Sequence, residues 1–217
     1  MSYFPAFLDI REKRCVVVGG GNVASQKVRA LLKSKACVEV VSPRLTPALQ
    51  KLVQKGTIGW ISRDFTESDL RGAFLAIAAT DDAAVNKQVW DAAERGRVLL
   101  NAVDDPPHCH FVFPSIFRRG KLQVAISTGG ASPVLAKRIR KELGKSFGPE
   151  YATALDWMGG ARRVVSQRVE GQRRRKALFS ALADTNIPAG IKRYGKARAK
   201  KRFDRRLHEL LAEFGKN

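Results

Sequence analysis

The sequence predicts an α/β fold, with a parallel sheet wrapped by helices in the first half and helices alone in the last third. Three observations carry that reading. Short β-branched or apolar runs alternate with helical stretches as far as residue 104, the pattern of right-handed β–α–β crossovers. One of these runs, residues 74–79, is continuously apolar, as strands covered on both faces are, and 98–103 is apolar but for Asn101. From Pro149 onward no strand pattern recurs.

Taken in order, Arg14-Cys15-Val16-Val17-Val18 is a first strand, stopped by Gly19-Gly20-Gly21. The helix after it has Val23, Val28, Leu31 and Leu32 as its apolar positions, with Lys27, Arg29 and Lys33 elsewhere. Cys37–Val41 is a second strand, ended by Ser42-Pro43. Residues 45–53 read as a short helix, and 57–62 as a less apolar strand suited to a sheet edge. Residues 74–79 and 98–103 are the two buried strands. Between them, 82–95 is helical, with Val85, Val89, Ala92 and Ala93 on one side. Asp81 is placed to cap that helix and Asp82 to sit in its first turn. The rhythm then changes. Residues 111–116 and 122–126 read as two strands around a turn at 118–121. Ser132-Pro133 is an N-cap and first helical residue for a helix to 147. Helices are expected over 151–170, 173–182 and 197–214, with 186–190 a break between the last two.

Composition narrows the function. Of the 217 residues 44% are hydrophobic, enough for a core and against general disorder. No apolar run approaches the ~20 residues that span a bilayer, and residues 1–14 show no signal-peptide h-region. Cys15, Cys37 and Cys109 are an odd set without CxxC spacing. They form neither a disulfide framework nor a zinc ribbon, and they suit a reducing cytoplasm. The formal net charge is +20, unevenly spread. Residues 1–134 hold 18 basic and 12 acidic groups, whereas 135–217 hold 22 and 8. Such a field attracts polyanions, whether nucleic acid, an anionic membrane or a small polyacid. The basic runs Arg173-Arg174-Arg175-Lys176 and 196–202 have little aromatic interleaving and no recognised nucleic-acid motif.

Four segments carry candidate chemistry. Gly19-Gly20-Gly21-Asn22-Val23-Ala24 fits G-x-G-x-x-A between a strand and a helix. That is the Rossmann-like dinucleotide pattern, in which backbone amides at a helix N-terminus receive a pyrophosphate. The acidic residue usual at the end of the second strand is missing. Val41-Ser42-Pro43-Arg44 stands there instead. Ser42 could make a weaker ribose contact, and Arg44 could face a 2′-phosphate or be a solvated loop charge. Thr80-Asp81-Asp82 and residues 101–105 follow the two buried strands, at the edge where open parallel sheets bind ligands. Asp104 and Asp105 are candidates for proton transfer. His108-Cys109-His110 would put two imidazoles on one side of an extended segment, but no further ligand stands at a convincing spacing, so no fixed metal site is expected. Ser127-Thr128-Gly129-Gly130-Ala131-Ser132-Pro133 is a small-residue loop opening a helix, either an anion seat or an ordinary connection.

Together these segments resemble a known family. Phe4-Pro5-Ala6-Phe7-Leu8-Asp9-Ile10, the glycine loop with Lys27, and Ala76-Ile77-Ala78-Ala79-Thr80-Asp81-Asp82 with Asn86 all look like the N-terminal module of sirohaem synthases. So do Asn101-Ala102-Val103-Asp104, Phe111, Pro114-Ser115-Ile116 and the 127–133 loop. This is the precorrin-2 dehydrogenase family, some members of which are also sirohydrochlorin ferrochelatases. The resemblance covers residues 3–147 and implies a Rossmann NAD-binding domain over 1–113, a dimerisation region over 114–147 and a basic helical domain over 148–217. It further implies a homodimer with its active site in the cleft between domains. The implied reaction is removal of hydrogen from precorrin-2 with NAD as hydride acceptor, giving sirohydrochlorin, with ferrous iron insertion in bifunctional members.

By resemblance, Gly19, Gly21, Asn22 and Val23 line the pyrophosphate, and Pro43 and Arg44 lie near the adenosine ribose. Thr80 and Asn101 flank the nicotinamide end, and Asp104 matches the aspartate that removes a proton. The many carboxylates of the substrate account for the positive charge, with Arg138, Arg140 and Lys141 as candidate contacts. The methyltransferase portion of fused sirohaem synthases is not found in the sequence, so precorrin-2 is expected from another chain. Thr128 stands where some relatives have serine, and 105–110 is more polar than the Ala-rich stretch of the family. The competing readings are a chelatase without redox function and a non-enzymatic basic module that binds nucleic acid.

Overall fold

The structure, a computed structural model, describes residues 3–215; the outermost positions of the expected first and last segments, 1–2 and 216–217, lie outside the described residues. The chain divides into two compact units between Phe113 and Pro114.

The first unit runs β1 (Arg14–Val18), α1 (Asn22–Leu32), β2 (Cys37–Val41), α2 (Pro47–Gln54), β3 (Gly59–Ile61), β4 (Leu75–Ala78), α3 (Ala83–Gly96) and β5 (Leu99–Ala102). The strands pair in the order β3-β2-β1-β4-β5, all parallel. Strand alternation splits the core into two layers. Cys15, Val17, Val38, Val40, Leu75 and Ile77 pack with Ala24, Val28 and Leu31 of α1. Val16, Val18, Ala76, Ala78, Leu100 and Ala102 pack with Val89, Ala92 and Ala93 of α3. Both faces of the sheet are covered, which is why its central strands read as unbroken apolar runs. The edge strand β3 is short and half-exposed, as expected of 57–62.

The second unit holds the antiparallel hairpin β6 (Ser115–Arg119) and β7 (Leu122–Ile126), followed by α4 (Pro133–Ser146), α5 (Pro149–Arg168), α6 (Gln172–Ala183), α7 (Ile187–Tyr194) and α8 (Lys196–Phe214). Its core is Ala154, Ala161 and Val165 of α5, Leu178 and Leu182 of α6, Ile187 of α7, and Phe203 and Leu210 of α8. Arg119 ties the hairpin to the end of α4 by donating to the carbonyls of Phe147 (3.0 Å) and Gly144 (3.2 Å). No described helix is long and apolar enough to cross a membrane.

Five expectations are corrected. Asp82, not Asp81, caps α3. Its carboxylate accepts from the amides of Ala84 (2.8 Å) and Val85 (3.1 Å), while the Thr80 hydroxyl accepts the Asp82 amide at 2.8 Å. Val23 is not a core residue but 41% exposed at the mouth of α1. The strand expected over 111–116 starts only at Ser115, because Phe111 and Phe113 pack on the first unit's core and Pro114 brings no N–H to a ladder. The turn shrinks to Gly120-Lys121, with Gly120 at φ 56°. The break over 186–190 is instead the start of α7. Asn186, at φ 44°, caps it through Ala189 N–H at 3.4 Å, and Pro188 falls in the first turn, where no intrahelical donor is needed.

One ion pair closes the loop after β3 on itself. Asp69 is buried and accepts from Arg63 at 2.6 and 2.8 Å and from the Thr66 amide at 2.8 Å. Burial pushes its carboxyl pKa up, but these donors more than offset that, and the net lies below the ordinary 3.8. A depressed folded pKa contributes stability above the unfolded value and loses it as pH falls through the folded one. Arg63 is partly exposed, so Asp69→Asn is expected to cost about 1–2 kcal/mol at neutral pH. Thermal unfolding followed from pH 7 downward should show the gap to wild type closing below the ordinary 3.8.

Candidate active site

The site grows from the end of β1. Gly19 adopts φ +116°, and a Cβ there would lie 2.2 Å from the Ala79 carbonyl oxygen. A Cβ on Gly20 would lie 1.8 Å from the Arg44 carbonyl oxygen. Both glycines therefore let three backbone segments meet, the ends of β1, β2 and β4. Hydrogen bonds secure the meeting, with Gly19 N–H donating to Val41 at 2.9 Å and Thr46 N–H to Gly20 at 3.0 Å. Strand order reverses between β1 and β4, so this is the topological switch point of the sheet.

Gly21 differs. It has φ −80°, and a Cβ there would meet nothing within 4 Å. It is the N-cap of α1, and no side chain caps the helix. The first amides of α1 thus face open space with the positive end of the helix dipole behind them. Asn22 and Val23 are exposed beside them, and Ala24 is fully buried against the sheet. A pyrophosphate fits this arrangement: free N–H groups, no obstructing side chain and a small residue holding the helix close.

Pro43 and Arg44 are exposed next to the loop. Ser42 is committed elsewhere, its hydroxyl donating to the Arg44 carbonyl at 2.8 Å, while the Trp60 indole N–H donates to the Ser42 carbonyl at 2.9 Å. On the other side, Thr80 is half-buried. The Asn86 amide donates to the Thr80 carbonyl at 3.0 Å, and its own Oδ1 is buried with no protein partner. Asn101 is not on the open edge. It is 6% exposed beneath the 109–111 segment, donating to the Phe111 carbonyl at 3.0 Å with Oδ1 unpartnered.

The loop after β5 separates the two candidate acids. Asp105 binds His108 Nδ1 at 2.7 Å. Asp104 is exposed at φ 60° and makes no hydrogen bond or ion pair among the described residues. The two imidazoles do not converge. His110 Nδ1 accepts the Leu100 amide at 3.0 Å, which leaves the proton on Nε2 facing Glu94 at 2.6 Å. Its ring stacks on Trp90, with centroids 4.9 Å apart. Cys109 turns inward to the Ala102 carbonyl at 3.0 Å, and burial pushes its thiol pKa up. Among the described residues no group of three or more His, Cys, Asp or Glu could hold a metal ion.

The sequence sets Lys27 off the apolar positions of α1 and joins it to the glycine loop only by resemblance, yet its ammonium lies 4.0 Å from the Phe113 ring centroid, within the electrostatic reach of Asp104. The signal was present. Lys27 stands four residues after Val23 and four before the buried Leu31, on one helix face. In the second unit, the 127–133 loop is ordered by its own side chains. The hydroxyls of Ser127, Thr128 and Ser132 accept from the amides of Gly129 (3.2 Å), Ser132 (3.1 Å) and Leu135 (3.1 Å).

Comparison with known proteins agrees with this geometry. A family model described as NAD(P)-binding matches residues 6–115, and a second, for the central part of sirohaem biosynthesis proteins, matches 119–146. The sirohaem synthase of Actinobacillus pleuropneumoniae serotype 7 (strain AP76) is 41% identical over 184 residues, 83% of this chain and 38% of its own length. That of Mannheimia succiniciproducens is 37% identical over 207 residues, 95% of this chain and 44% of its own. The chain thus spans less than half the length of these curated relatives. Among solved structures, the precorrin-2 dehydrogenase SirC is similar with a TM-score of 0.78 and 25% identity, over 95% of this chain and 99% of that one.

Two glycine substitutions should part structure from binding. Gly21→Asp adds bulk and negative charge where the space is open. It is expected to leave the melting temperature nearly unchanged while abolishing NAD binding in a calorimetric titration. Gly20→Ala meets backbone and should lower the melting temperature itself.

Proposed function

The chain belongs to the NAD(P)-binding family, with a sirohaem biosynthesis central segment behind it, and on that footing we propose that it is an oxidoreductase converting precorrin-2 to sirohydrochlorin with NAD. The observation that carries this reading is the Asp104 carboxylate, unpaired among the described residues, on the same sheet edge as the glycine loop. Bound NAD supplies hydride acceptance. Gly19, Gly21, Asn22 and Val23 are assigned to its pyrophosphate, Pro43 and Arg44 to the adenosine ribose, and Thr80 to the nicotinamide end. Asn101, being buried, contributes by fixing the Phe111 backbone beside that end.

The chain's own chemical task is the proton. Dehydrogenation sends a hydride to the cofactor and a proton to a base, so Asp104 accepts the proton as the C–H or N–H electrons stay in the macrocycle. Water then recovers that proton. Asp105 is less suited, because its carboxylate is engaged by His108. Ferrous iron enters this scheme as a second substrate, and the same carboxylate receives the pyrrole protons that insertion displaces. The structural similarity to a precorrin-2 dehydrogenase and the sirohaem synthase relatives support this assignment. A homodimer in the cytoplasm completes the reading, with α4 as a contact surface, since Val134 and Leu135 on it are 77% and 48% exposed.

Anaerobic absorbance spectroscopy with precorrin-2, then NAD, then ferrous ion tests the proposal. Sirohydrochlorin should form only after NAD is added. Asp104→Asn retains a side chain that tolerates left-handed backbone and removes the base. Its turnover is expected to fall about 100-fold or more, with NAD affinity unchanged. Near-wild-type turnover would remove Asp104 from the mechanism.

A further inference from the structure

Lys27 stands in the second turn of α1, and its ammonium is drawn back over the Phe113 ring. It is half-buried, yet among the described residues it makes no hydrogen bond and no ion pair. An exposed lysine ordinarily extends its head group into water. Partial removal from water costs free energy that an aromatic face offsets only in part. Burial accordingly pushes the Lys27 pKa down, with the Asp104 carboxylate pulling the other way. The stem is fixed, the head group has spare donors, and the nearest acid does not close a pair with it. A cation in that state is arranged for an anion that arrives from outside.

The position of Lys27 says which anion. The pyrophosphate seat is at Asn22–Ala24, about 4.5–7.5 Å up the helix axis from Lys27, and Lys27 turns instead toward Asp104 and Phe113. We propose that Lys27 takes a carboxylate arm of the tetrapyrrole and so holds the macrocycle over Asp104, a positioning role that rests on the dehydrogenase reading. A lysine suits this use, since its ammonium can follow an arm of the ring without demanding one bidentate geometry.

The test separates binding from turnover. Uroporphyrin, an aromatic macrocycle with acetate and propionate arms, is titrated into wild type, Lys27→Met and Lys27→Arg, followed by tryptophan quenching. Lys27→Met is expected to weaken binding about tenfold or more, and Lys27→Arg to stay within about threefold of wild type. NAD affinity and melting temperature should not move. With precorrin-2, Lys27→Met should raise KM far more than it lowers kcat. Unchanged uroporphyrin affinity in Lys27→Met overturns the contact, as does an equal loss in both variants. A fall in kcat with KM unchanged also overturns it, by giving Lys27 a part in the chemical step rather than in holding the ring. Wild type that binds uroporphyrin but never oxidises precorrin-2 with NAD sinks the dehydrogenase reading while leaving the carboxylate contact standing.

Discussion

The constraint on which the rest of the first unit depends is the approach of two carbonyls to two glycines. Ala79 and Arg44 press their backbone oxygens into the volume that side chains on Gly19 and Gly20 would fill. Only that intrusion brings the ends of β2 and β4 against the start of α1. Three strand ends then share one rim, and the first helical amides look out from its middle. Gly21 serves a different end, because its missing side chain leaves room toward solvent rather than toward the protein. Within one tripeptide, two positions are spent on architecture and the third on vacancy for a guest.

Around that rim, hydrogen bonding decides which polar groups remain available. Asp105 is engaged by His108, and His110 is held at both nitrogens between Leu100 and Glu94. The Leu100 amide also dictates the tautomer, a backbone contact that settles where an imidazole proton resides. These commitments brace the segment that follows β5. Asp104 is left with its carboxylate unspent, and the Asn101 amide beneath keeps the covering chain in place. The oxidation proposed above would call for this division, with braced neighbours and one carboxylate unpaired among the described residues.

Much of this was legible in the residues. The glycine spacing, the apolar strands and the Ser132-Pro133 helix start depend on local chemistry, and they stand where the sequence puts them. What local chemistry could not supply was competition between neighbours. Asp81 reads as the cap until Thr80 takes the Asp82 amide and leaves the Asp82 side chain poised over α3. Phe111 and Phe113 alternate like strand residues, yet core burial recruits them first. Lys27 reads as a surface charge unless Phe113, distant in sequence, is known to lie under it. Asn101 looks like an edge residue until the 109–111 segment folds over it.

Asp104 sits on left-handed backbone, which aspartate and asparagine adopt more readily than most residues. Glu12, Lys35 and Arg97 adopt it too, so length alone does not bar a longer acid from such a turn. A glutamate at 104 would keep the functional group and carry its carboxylate one methylene farther from the same backbone. The reach of the acid at this turn is therefore set by side-chain length, and a single substitution can change it without reshaping the loop.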